Sequence, residues 1–151
     1  MKIIGFNLTK ILVEKDEVPR QNVKIDQNID IQDISEEKLD ITSGKTLKIK
    51  FSLQINYSEN FAKIEFAGNL LILPEESEFE ELMKSWNDKI IPDNIRIPLF
   101  NFIMNKCNVK ALSLEDELSL PYHMPMPRLA TKSQKENSKV DNNQTTEKSS
   151  E

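Results

Sequence analysis

Glycine is scarce in this sequence, with three in 151 residues. Neither G-x-G-x-x-G nor G-x-x-x-x-G-K-S/T occurs, so there is no loop to cradle a phosphate, and no nucleotide cofactor is expected. One cysteine, Cys107, cannot form an internal disulfide. That usage suits a reducing cytosol. The single histidine, His123, has no histidine or cysteine at metal-ligand spacing, so no metal is expected either. No apolar run approaches the roughly 20 residues of a membrane span. "MKIIGFNLTKILVEK" is broken by Asn7, Thr9 and Lys10 and lacks the continuous run of a signal peptide. Basic residues are in the minority. The net charge is -5 and the pI about 5.1, a balance that argues against nucleic acid as a partner.

What is present is period-two alternation in the first half. In "TLKIKFSLQINY", Leu47, Ile49, Phe51, Leu53, Ile55 and Tyr57 alternate with polar residues. Strand side chains point to opposite faces in turn, so this segment sets one face on a core. "FAKIEFAGNLLILP" reads as its hairpin partner. Ala62, Ile64, Phe66, Gly68, Leu70 and Ile72 share a face, and Gly68 marks a bulge or a close backbone approach. Leu71 and Leu73 make its end apolar on both sides, which calls for cover from a helix or another subunit. "NVKIDQNIDI" places Val23, Ile25, Ile29 and Ile31 on one face of a further strand. The first strand carries Ile4, Phe6 and Leu8, then shifts phase to Ile11 and Val13, which predicts a bulge at Thr9 and Lys10.

The second half changes period. Ser77 with Glu80 forms a capping-box pattern, and Phe79, Leu82, Met83, Trp86 and Ile90 recur at helical spacing before Pro92. The spacing predicts a helix over Ser77–Ile90. A second helix is expected to open near Pro98, where a missing N–H does no harm in a first turn. Leu99, Phe100, Phe102, Ile103, Met104 and Cys107 cover most of its circumference, so it is buried in the domain or in an oligomer. "SLEDELSLP" reads as a separate short acidic turn. The expected organisation is one domain over residues 1–130 and a disordered polar tail over 131–151, whose one aliphatic residue, Val140, cannot offset the entropy of ordering it.

Individual residues offer little chemistry. His123 reads as a surface or capping residue and Cys107 as inert filler in an apolar stripe. The carboxylates of "PEESEFEE" suit a helix N-terminus, and Asp116 with Glu117 reads the same way. Phe79 and Trp86 fit a helix core face better than an interface anchor. Met83 and Met104 fit the core, while Met124 and Met126 fit surface docking or structural strapping equally. In "LSLPYHMPMPRL", alternate Pro125 and Pro127 favour an extended chain with Tyr122, Met124 and Met126 projecting as apolar teeth. It reads as a strap on its own domain or on a neighbour.

The order of four strands, then helices, with a proline at the opening of the main helix, resembles the SecB family of protein-export chaperones. "NLTKILVEKDEVP" is similar to that family's first strand and turn, "NVKIDQNIDI" to its second strand, and the Leu47–Leu73 hairpin to its third and fourth. "NIRIPLFNFIMNKCNVKALSLEDELSLP" is similar to its asparagine-aliphatic-x-aliphatic-proline stretch, helix and closing leucines. The resemblance spans roughly residues 1–121. It departs at the extra helix Ser77–Ile90 and at "YHMPMP", where the family begins a second long helix. It implies an α+β fold, a four-stranded antiparallel sheet followed by two helices. It also implies a cytoplasmic homo-oligomer, not an enzyme, that holds unfolded or extended polypeptides in apolar grooves and along strand edges. Candidate contacts are Phe66, Leu71, Leu73, Tyr122, Met124 and Met126. Two other readings stand beside it. One is a structural or adaptor subunit bound to a specific protein partner. The other is a small-molecule carrier or enzyme, which would need a deep pocket with convergent polar groups.

Overall fold

In the computed structural model, which describes residues 1–130, alternation becomes four long strands: β1 (Lys2–Lys15), β2 (Ile25–Glu37), β3 (Thr46–Tyr57) and β4 (Ala62–Leu73). They form one antiparallel sheet in the order β1-β4-β3-β2. β2, β3 and β4 follow one another as hairpins, and β1 returns beside β4, a Greek-key arrangement. The β1–β2 crossover is pinned to the opposite turn, with Asp16 N donating to Phe61 O at 2.7 Å and Ser58 N to Lys24 O at 2.8 Å. Both β1 and β2 are edge strands, each with one side unpaired among the described residues. The expected tail, residues 131–151, lies outside the described residues.

Cross-strand pairs Ile49↔Leu70, Leu53↔Phe66 and Ile55↔Ile64 line the buried face. All six side chains have no exposed surface. Two helices cover that face, α1 (Glu76–Trp86) and α2 (Asp93–Glu117), giving a two-layer α+β domain. Phe6 of β1 stacks on Phe51 of β3 with ring centroids 5.7 Å apart and meets Phe102 of α2 edge-on at 5.9 Å. On the far face, Leu71 lies over Gly5 and Leu73 over Gly44. Both leucines stay half-buried there.

The phase shift in β1 is a bulge. Leu8 pairs with Gly68 and Lys10 with Ala67, leaving Thr9 without a partner. Gly68 sits against this bulge at close approach. A Cβ there would lie 2.3 Å from the Asn7 carbonyl oxygen. β2 runs further than its alternation indicated. A bulge between Ile31 and Asp33 absorbs the three-residue step to Ile34, which is buried.

The helix boundaries differ from the expected ones. α1 starts one residue earlier, at Glu76, because Glu75 follows Pro74 in an extended conformation and serves as N-cap. The capping box is Glu75 with Glu78, not Ser77 with Glu80, and Glu75 N donates to Glu78 Oε2 at 2.9 Å. Ile90 lies outside the helix, past Lys89, whose φ is 58°. α2 opens on Pro92 as N-cap and carries Pro98 inside it. It also absorbs the acidic stretch expected as a separate turn, since no breaker stands between Val109 and Glu117. Its buried residues are Ile95, Leu99, Ile103, Cys107, Ala111 and Glu115, one every four positions. This is a single stripe on the sheet, and Ile97 and Val109 on other sides are exposed. Phe79, Leu82 and Trp86 of α1 face the core.

Candidate functional site

Two features stand out against this frame. The first is a groove of about 470 Å³ beside the unpaired edge of β2. Ile29 and Ile31 form its floor, the C-terminal end of α1 and the turn after it supply Trp86, Ile90 and Ile91, and α2 supplies Phe100. The alternation of β2 aims its isoleucines inward, and α2 lines the groove with Arg96 and Phe100. Lys89 lies over the Trp86 ring at 4.3 Å. Arg96 is tied to Asp93 one helical turn back. β2 itself carries Asp26, Asp30, Asp33, Glu36 and Glu37 and no basic residue. The edge is therefore apolar on one face and acidic along its length. A cavity of equal volume at the opposite end of the sheet is lined by Glu14, Lys15, Asp16, Asn56 and Lys63 among others. There four charged side chains stand beside Tyr57, Phe61 and Ala62.

The second feature is a buried polar cluster where the chain leaves α2. Glu115 stands at the end of the buried stripe with its side chain 0% exposed, and His123 folds back onto it with its side chain 3% exposed. His123 Nδ1 lies 2.6 Å from Glu115 Oε1, and Nε2 lies 3.0 Å from Asn108 Oδ1. Asn108 Oδ1 also accepts from Gln27 Nε2 of β2 at 2.8 Å. Both ring nitrogens thus have a side-chain partner. The Tyr57 hydroxyl lies 2.7 Å from the Pro121 carbonyl oxygen and 3.2 Å from Glu115 Oε1. Burial, followed by the Glu115 charge, pushes that hydroxyl well above the usual tyrosine range.

This cluster fastens the strap to the end of α2. No buried polar side-chain atom among the described residues lacks a partner, and no substrate could reach Glu115 without undoing the contacts that hold it. Cys107, fully buried one turn below Ala111, has its thiol pushed up to about 11 by burial, against a smaller opposing effect of Lys110. Such a thiol is a poor nucleophile. Among the described residues, no three His, Cys, Asp or Glu side chains are grouped to hold a metal ion. No helix among them is long and apolar enough to cross a membrane.

The six contacts expected from the sequence lie in three places. Phe66 is fully buried in the core. Leu71 and Leu73 are half-buried on the far face. Tyr122, Met124 and Met126 are exposed on the strap that follows α2. His123, read as a surface or capping residue, is instead the buried pin of that strap. Sequence reasoning passed over Glu115, Asn108, Gln27 and the β2 groove. A signal for Glu115 and Gln27 existed. Each is a polar residue at an inward position of an otherwise apolar pattern, Glu115 four after Ala111 and Gln27 between Ile25 and Ile29.

No protein-family model matches the chain, and no curated protein matches it. Among solved structures it is similar to a SecB-like chaperone of Mycobacterium tuberculosis, determined in complex with a ChAD peptide from an antitoxin. The identity is 14%, the TM-score 0.48, and the match covers 85% of this chain and 87% of that one. The likeness is remote and is one of fold.

Proposed function

We propose that this protein is a holdase-type chaperone that binds unfolded or extended polypeptides without nucleotide or metal. One observation carries the reading: the unpaired backbone of β2 runs beside an apolar groove formed by Ile29, Ile31, Trp86, Ile90, Ile91 and Phe100. An extended segment laid there would pair its backbone with β2 and sink alternate side chains into the groove. Burial of apolar area contributes about 25 cal/mol per Å². The acidic run along β2 favours segments that carry lysine or arginine. Tyr122, Met124 and Met126 would extend the contact surface from the strap, and Leu71 and Leu73 would offer a smaller apolar corner on the far face.

The exposed side chains Ile11, Ile97 and Val109, together with the open edge of β1, support assembly into a homo-oligomer. A chain with one buried free thiol suits a reducing compartment such as the cytosol. Light scattering by a chemically unfolded client, with and without stoichiometric protein, tests the reading. Suppression is expected, and an unchanged aggregation curve refutes it. The second reading is an adaptor subunit that uses the same β2 edge for one partner. Pull-down from native extract separates the two, since a single stoichiometric protein favours the adaptor and a spread of unfolded clients the holdase.

A further inference from the structure

The strap leaves the domain beside the groove. His123 is bound to Asn108, and the same Asn108 oxygen holds Gln27 of β2. Ile29 and Ile31 stand two and four residues along β2 from Gln27, about 7–14 Å at the usual strand rise. Met126 is three residues beyond His123 and reaches up to about 10 Å, and Leu129 reaches up to about 20 Å. The apolar teeth of the strap can therefore reach the groove while His123 stays pinned. In the structure they are uncovered: Met124, Met126 and Leu129 are 38%, 47% and 105% exposed.

The proline pattern fits an edge. In an extended chain the amides of Met124, Met126 and Arg128 point to one side, and the positions of Pro125 and Pro127 point to the other, with no N–H to offer. Such a strand can pair on one side only. Added to an open edge it ends the sheet, which is how edges are protected from further pairing.

We propose that Met124–Leu129 close over the β2 edge and its groove as a tethered competitor, so that the chain carries its own occupant for the site. This rests on the reading of the groove as a polypeptide seat. A short tether gives an effective concentration in the millimolar range. Weak extended segments would be turned away, and longer apolar ones would displace the strap.

A nitroxide attached to Ala130→Cys in a Cys107→Ala background tests the closure. Expected is paramagnetic loss of signal at the Ile29 and Ile31 methyls and the Trp86 indole, with none at Ile4 or Ile11 on β1. That loss should vanish when Met124, Met126 and Leu129 are all changed to Ser. No loss at the groove overturns the proposal. So does a loss that arises in mixtures of isotope-labelled, unspinned chains with spin-labelled ones, which would assign the occupant to a second copy. Should Cys107→Ala disturb folding, the triple Ser variant of the natural chain serves instead. Its only tryptophan, Trp86, should shift its emission to the red as the groove is uncovered, and unchanged emission counts against closure. Client binding is read separately. Closure without any client binding would leave the strap proposal standing and remove the holdase, whereas tighter client binding by the triple Ser variant supports both.

Discussion

His123 and Glu115 are eight residues apart in sequence and form one buried pair, Nδ1 to Oε1 at 2.6 Å, that pins the strap to the end of α2. The backbone takes part as well. His123 N lies 3.3 Å from both Glu115 carboxylate oxygens, and Leu120 N donates to the Glu115 carbonyl at 2.8 Å.

Breaking that pair from one side leaves a buried carboxylate short of a partner. His123→Ala should cost about 3 kcal/mol in urea unfolding. Met124→Ala and Met126→Ala, on exposed side chains, should stay within about 0.5 kcal/mol. The double change Glu115→Leu with His123→Leu should recover most of the loss, because no charge is then stranded. Tyr57 keeps Pro121 O at 2.7 Å and Asn108 keeps Gln27 at 2.8 Å. If the double variant proves no more stable than His123→Ala, the pair is not the cause.

Gly68 has no room for a side chain against the β1 bulge. Gly68→Ala should cost about 3 kcal/mol and raise amide exchange in β1 selectively, since the obstacle is the Asn7 backbone and not a side chain that can rotate away. Gly44→Ala meets only the end of the Leu73 side chain and should be far milder. Equal effects at the two positions would show that close approach is not what Gly68 provides.

Cys107 should resist alkylation. With its thiol pushed up from 9.0 to about 11, its thiolate fraction at pH 8 falls roughly 100-fold below that of a free thiol. Raised in the folded state, the group favours folding below its unfolded value, and that contribution is lost as pH climbs from about 9 to about 11. Iodoacetamide labelling followed by mass spectrometry checks this. Labelling in the native protein at pH 8 at the rate of a free thiol would contradict it.

Glu65 lies between Lys63 at 3.2 Å and Lys10 at 3.3 Å. The Lys63 hydrogen bond, aided by Lys10 and opposed by partial burial, holds its carboxyl below the usual range. A lowered folded value means the contribution is present above the unfolded value of 4.5 and lost as pH falls below it. Lys63→Met with Lys10→Met should flatten the fall in stability between about pH 5 and 3. Parallel acid-unfolding curves for the variant and the natural chain would rule the pairing out as a cause.

Much of the fold was legible because strand and helix patterns are local. The alternation over Leu47–Tyr57, the slip of phase at Thr9 and the single glycine within β4 each pointed to a structural feature that is present. Boundaries were harder. Glu75 caps α1 because Pro74 leaves it extended, and Pro98 is tolerated on an exposed side of α2. Both outcomes depend on backbone angles that residue spacing does not encode. The end of β2 was hidden by a bulge, which a simple period-two reading treats as the end of the strand.

The chain alone determined an α+β domain with an alternating sheet, an amphipathic first helix and a proline-rich exit, since each follows from periodicity and from proline's missing N–H. Only the tertiary structure decided what His123 does, and which strand edge stays open beside an apolar groove. Both are questions of partners far apart in sequence. Gln27 and Asn108 meet across 81 positions, and Tyr57 and Glu115 across 58. A buried histidine and a surface one look the same until the carboxylate that holds it is placed.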